Sequence, residues 1–294
     1  MNFADQAKKG QGNFGTYLLT ICISLMALVV GNIIAELLAT NYLGFSLQQI
    51  PESVNFSALL SLMILPFAGV LIALVVCIKK LHKRPVISLF TVRDSFDWKR
   101  FFTSFFIWGA VLVAALFIGL ATGHPYDWNF NATKFMTLLP VSLLLLPLQT
   151  AAEDLLFRGY LFQGFTSVFK RALPALLISG VLFGLLHWAN PEVDKIGDIL
   201  LVYYIASGIF FGLLAHMDNG LELGMGYHAV NNVFASLIVT SDWQAFQTDA
   251  LFVDKAPPSF GWEAILTLVV LQPLLLLLFS KMYKWGNWKK RLVE

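Results

Sequence analysis

Eight apolar runs, each near the length that crosses a bilayer, constrain this chain more than any other feature. A hydrocarbon core of about 30 Å takes about 20 helical residues. The runs cover approximately 17–38, 58–78, 102–121, 135–161, 172–188, 199–215, 220–239 and 262–279. Unpaired backbone groups are too costly in lipid, so continuous runs of this length fold as helices. The expected fold is all-α: a polytopic membrane bundle of about eight transmembrane helices forming one domain over residues 1–294. Composition agrees, because 13% of residues are charged and 57% are hydrophobic, against about 25% charged in soluble domains.

The basic residues orient the bundle. With both termini in the cytoplasm, only Lys134, Lys195 and Lys255 of the 20 lysines and arginines fall on the outer side, which obeys the positive-inside rule. The first run is too long for a signal-peptide core and reads as a retained span. A compact chain without targeting extensions suggests a bacterial plasma membrane as its location. A net charge of +2 is too small to imply a nucleic-acid partner.

Several local features carry expectations. Cys22 and Cys77 lie in apolar runs far from the ionisable residues of the chain's second half, and are expected as buried small hydrophobes rather than a disulfide. Residues 39–57 and 240–261 read as ordinary outer loops. The sequons at Asn55 and Asn131 read as chance matches. Pro140 and Pro147 should bend the fourth span just before Glu153. Gly180/Gly184, Gly208/Gly212 and Gly220/Gly224 are each four apart, a spacing that lets helices approach closely in lipid.

Against this apolar background, six side chains stand out: Glu153, Asp154, Arg158, His187, His228 and Asn232. Charged groups at membrane depth cost about 2.5–3.5 kcal/mol each on insertion scales, so they are expected to face inward and to serve a function. Asp154 and Arg158 are i,i+4 neighbours on a helix and can pair. Glu153 points about 100° away and lacks that partner, as a general base would. His228 and Asn232 share a helical face, where both can donate to one point. Lys170 lies 17 residues from both Glu153 and His187. A hairpin turning there puts the two level, about 25 Å from the turn. The second hairpin turns near Asp218–Gly220, so the site is expected to open toward the cytoplasm.

Glu153-Asp154-x-x-Phe157-Arg158, Phe183-x-x-x-His187 and His228-x-x-x-Asn232, in that order, closely resemble the three motifs of the type II CAAX prenyl endopeptidase and bacteriocin-processing family. The resemblance covers about residues 140–240, with a catalytic core at about 135–240. The family pattern has two consecutive glutamates, and here the second is Asp154. The resemblance implies an intramembrane endopeptidase acting on a membrane-associated, in some members lipidated, peptide or protein. It implies no metal and no cofactor. Glu153 and His187 would activate water, His228 and Asn232 would hold the oxyanion, and Asp154 and Arg158 would support them.

Two rival readings use the same residues. Glu153, His187 and His228 could form the His₂Glu set of a zinc peptidase, although no His-Glu-x-x-His is present to preorganise a metal. Alternatively, the cluster could be the relay of a transporter or the polar core of a scaffold.

Overall fold

The computed structural model describes residues 2–51 and 54–293 and is an all-α polytopic bundle. Six helices are long and apolar enough to cross a membrane: α1 Phe14–Leu43, α2 Phe56–Lys80, α3 Trp98–Thr122, α4 Ala132–Phe169, α6 Ile199–Asp218 and α8 Trp262–Met282. The fifth and seventh expected spans are shorter helices, α5 Ala172–Leu185 and α7 Glu222–Leu237. At 1.5 Å per residue they reach only about 21 and 24 Å. Sequence hydropathy overestimates them because α7 is an inner helix, largely buried and packed against α3 and α4. Its apolar residues face protein rather than lipid.

Helix ends follow from local chemistry. The Asn55 and Asn131 side chains accept from the backbone N–H groups of Ala58 and Lys134, each at 3.1 Å. The two sequons thus supply helix N-caps. Lys170 and Asn219, both in the left-handed region, turn the chain from α4 into α5 and from α6 into α7. Both hairpins fall where the sequence places them.

The glycine spacing is used selectively. A Cβ on Gly208 would lie 2.8 Å from the Gly180 carbonyl, and one on Gly184 would lie 2.7 Å from the Ile205 backbone nitrogen. These glycines therefore let α5 and α6 pack backbone to backbone. Gly224 has only ordinary contact, while Gly226 meets the Phe101 carbonyl of α3 and has no room for a side chain. The close approach on α7 is therefore at Gly226, not at the expected Gly220/Gly224 pair.

Two further expectations are corrected. Cys77 is buried, but Cys22 lies on the exposed surface of α1, where an apolar thiol meets no penalty in lipid. The 240–261 region is not plain loop: β1 (Tyr126–Trp128), β2 (Val239–Ser241) and β3 (Phe252–Asp254) form a small sheet in the order β1-β3-β2. α4 is helical through Pro140 and Pro147, and a π-helical segment follows Asp154 over Leu155–Leu161.

Opposite the sheet is a basic end that gathers both turns and both ends of the described chain. The Phe3 backbone N–H donates to Asn219 Oδ1 at 3.1 Å, and the Phe3 ring stacks on Phe162. Arg291 donates to the carbonyls of His216 and Met217 and to Asn219 Oδ1.

Candidate active site

The polar cluster assembles where α4 changes its winding. Glu153 and Asp154 are the last residues before the π segment, and Arg158 lies within it. Such π insertions are frequent at functional sites, although Ala39–Leu43 and Thr267–Leu271 carry the same winding away from the cluster. Asp154 and Arg158 are both buried and pair at 3.0 Å. The Arg158 guanidinium carbon lies 3.9 Å from the Phe183 ring centroid and 5.0 Å from that of Phe211. Phe157 meets Phe183 edge to face. The phenylalanines of the first two motifs thus help wall in the arginine.

His228, on α7, lies between the two carboxylates. Its Nδ1 is 3.3 Å from Asp154 Oδ2, and its Nε2 is 3.6 Å from Glu153 Oε2. Phe211 stacks on the ring from the other side. The sequence brings His228 to the site but does not reveal this double contact, which joins residues 74 positions apart.

Gln149 is a site residue that the motifs omit. It donates to Glu153 Oε1 at 2.6 Å and accepts from Asn232 Nδ2 at 3.0 Å. Glu153 therefore has a local partner after all, one turn toward the N-terminus. The available signal was a lone amide four residues before Glu153 in an apolar run. Asn231 accepts from the Trp108 indole at 3.2 Å and leans on Asn232, which ties α7 to α3.

His187 is placed apart from the pair. Its Nδ1 lies 2.8 Å from the Phe183 carbonyl, which can only accept, so Nδ1 carries the proton and Nε2 is left as an acceptor. Tyr204 stacks on the imidazole at 4.2 Å.

Glu153, His187, His228 and Asn232 all line one cavity of about 780 Å³, while the Asp154–Arg158 pair lies behind its wall. Leu25 and Leu28 of α1, with Met63 and Phe67 of α2, form an apolar side. The other end of the cavity reaches Asn190, Glu192 and Gln244–Phe246. Those residues follow α5 and α7 and lie at the end of the bundle away from the two basic turns. The cavity thus extends toward the end opposite the basic turns, where the chain after α7 folds back to line it.

The architecture defines a class, a helical membrane protein with one polar site sunk in its bundle. Residues 135–234 match the family described as type II CAAX prenyl endopeptidase Rce1-like. The uncharacterized protein YyaK of Bacillus subtilis (strain 168) is 33% identical over 193 residues. The match covers 64% of this chain and 64% of that relative, just under two thirds of its length.

Proposed function

We propose that this protein is an intramembrane endopeptidase that cleaves a membrane-associated peptide or protein by metal-independent activation of water. The observation that carries the reading is the Glu153–His228 pair, 3.6 Å apart across two helices at the cavity wall. His228 donates through Nδ1 to Asp154, whose charge is already balanced by Arg158. Its Nε2 therefore faces a carboxylate, and lone pair against lone pair would repel. The two groups are thus placed to exchange a proton during the reaction, as an acid–base couple requires.

The roles follow. Glu153 takes a proton from water as that water attacks the scissile carbonyl, and His187 Nε2, an acceptor, helps to orient the water. Once Glu153 has taken the proton from water, the His228 Nε2–H no longer faces a carboxylate, and it and the second amide hydrogen of Asn232 are the donors for the developing oxyanion. The proton then passes to the leaving amine, so atoms and charge balance over one hydrolysis. Gln149 fixes the Glu153 oxygen that does not face His228.

A zinc ion could bridge Glu153 and His228, but among the described residues no third His, Cys, Asp or Glu joins them as a metal-binding group. The test is cleavage of candidate membrane peptides by the protein reconstituted in lipid vesicles. Activity that persists after exhaustive chelation, and is lost in Glu153→Gln, is the expected result. Loss on chelation with rescue by Zn²⁺ would transfer the same residues to a metallopeptidase mechanism. A Glu153→Gln protein that retains its cellular effect would favour a scaffold.

A further inference from the structure

Among the described residues, the cavity lining contains two carboxylates, Glu153 and Glu192, and no lysine or arginine. Glu153 is matched by His228, whereas Glu192 is matched only by neutral donors. Its Oε1 accepts from the Tyr204 hydroxyl at 2.9 Å and from Asn190 Nδ2 at 3.2 Å, and its Oε2 accepts from the Ala245 backbone N–H at 3.0 Å. Three donors from three separate segments fix the carboxylate in place. A carboxylate offers about four acceptor sites, so Oε2 keeps one in reserve. The Tyr204 ring that holds Glu192 also stacks on His187. Glu192 thus stands one aromatic ring away from the proposed chemistry, in the same space.

A fixed anion in a largely apolar cavity with no cation beside it is a poor choice for a fastening alone, because a neutral glutamine could accept from the same backbone N–H. It is a good choice for recognising positive charge. We propose that Glu192 is a cation-recognition subsite, and that the peptide bound in this cavity carries a lysine or arginine side chain placed against Oε2. The proposal rests on the peptidase reading only for the peptide nature of the ligand. The recognition itself is electrostatic and requires no cleavage.

The test is therefore binding, read on detergent-solubilised Glu153→Gln protein, which cannot turn its ligand over. The probes are short fluorescent alanine/leucine peptides carrying one lysine, one norleucine or one glutamate at successive positions. A charge-assisted hydrogen bond in this setting should make the best lysine peptide bind about tenfold or more tighter than its norleucine twin. Adding Glu192→Gln should bring that ratio close to one, while Glu192→Asp should retain most of it. Tyr204→Phe removes one fastening donor but no charge, and should preserve the ratio. Equal binding of the three peptides, binding of none, or a ratio that survives Glu192→Gln would overturn the proposal. If Glu192→Gln does not fold, the parent decides alone: the lysine preference must weaken as salt is added, and a salt-insensitive preference overturns the idea. Wild-type protein that binds lysine peptides selectively yet cleaves none would sink the peptidase reading and leave this one standing.

Discussion

Two buried ionic clusters in this molecule are built from the same parts and are balanced differently. At the basic end, Asp218 and Glu222 face two arginines. Arg93 bonds both carboxylates at 3.1 Å, Arg100 reaches Asp218 at 3.0 Å, and the Trp285 indole donates to Asp218 as well. Each buried carboxylate there has a permanent positive partner. In the cavity, Glu153 and Asp154 share one arginine and one histidine. Arg158 serves Asp154, so Glu153 faces an imidazole rather than a guanidinium. The first cluster is a fastening. The second, on the proposed reading, gives Glu153 a partner able to exchange a proton, which a fastening does not need.

That contrast is open to attack by mutation. The largest effect should come from Glu153→Gln, with peptidase activity lower by about 10²–10⁴-fold and a nearly unchanged melting temperature. A mutant that keeps its activity but melts early would mean that the cavity cluster is also a fastening.

His228→Ala and Asn232→Ala should each cost about 2.7–4 kcal/mol of transition-state stabilisation, seen in kcat more than in KM. Because both serve one oxyanion, the double mutant should lose less than the sum of the two. Steady-state kinetics on all three proteins decides it. A rise in KM with kcat unaltered would reassign both residues to substrate grip.

Asp218→Asn should do the reverse of Glu153→Gln. It leaves Arg93 and Arg100 short of a partner and should cost about 3 kcal/mol of stability, the low end for a broken buried pair because both arginines are partly exposed. Thermal unfolding should report the loss, and the activity of the surviving folded fraction should hold. Activity lost at full stability would break the comparison from the other side.

The smallest effect concerns His82, near the basic end. Its ring nitrogens contact Tyr160, Thr20 and the Gln11 carbonyl. Burial, reinforced by the nearby Arg84 guanidinium, pushes its pKa below the ordinary histidine value. The unfolded chain therefore binds the proton more readily, and stability is full above about pH 6.5 and declines below it. His82→Gln should flatten that part of the slope of melting temperature against pH. An identical slope in both proteins would show that His82 does not titrate on unfolding.

What could be read from the sequence follows the range of the interaction. The hairpin turns at Lys170 and Asn219, the Asp154–Arg158 pair and the shared face of His228 and Asn232 are local, so spacing alone exposes them. The convergence of three motifs was also legible, because charged groups avoid lipid and must meet. Hidden from the sequence were contacts that depend on tertiary placement: His228 between two carboxylates, Gln149 between Glu153 and Asn232, and Glu192 held by Tyr204 and Ala245. Hydropathy also misjudged α7, since burial in protein and burial in lipid leave the same apolar trace. The reach of the cavity away from the basic face depends on how residues 240–250 fold back, which no periodicity encodes.

The docking of Phe3 on Asn219 has a consequence in time. The two residues are 216 positions apart, and synthesis at about 5–20 residues per second separates their emergence by roughly 10–40 s. Throughout that interval the first helix can already lie in the membrane while the surface that receives its leading segment has not been made. Of its two partners, Phe162 emerges 159 residues after Phe3, and Asn219 follows 57 residues later. The basic end is consequently the last part of the protein to close, and a newly made chain passes through a stage in which its first helices are inserted but not yet fastened.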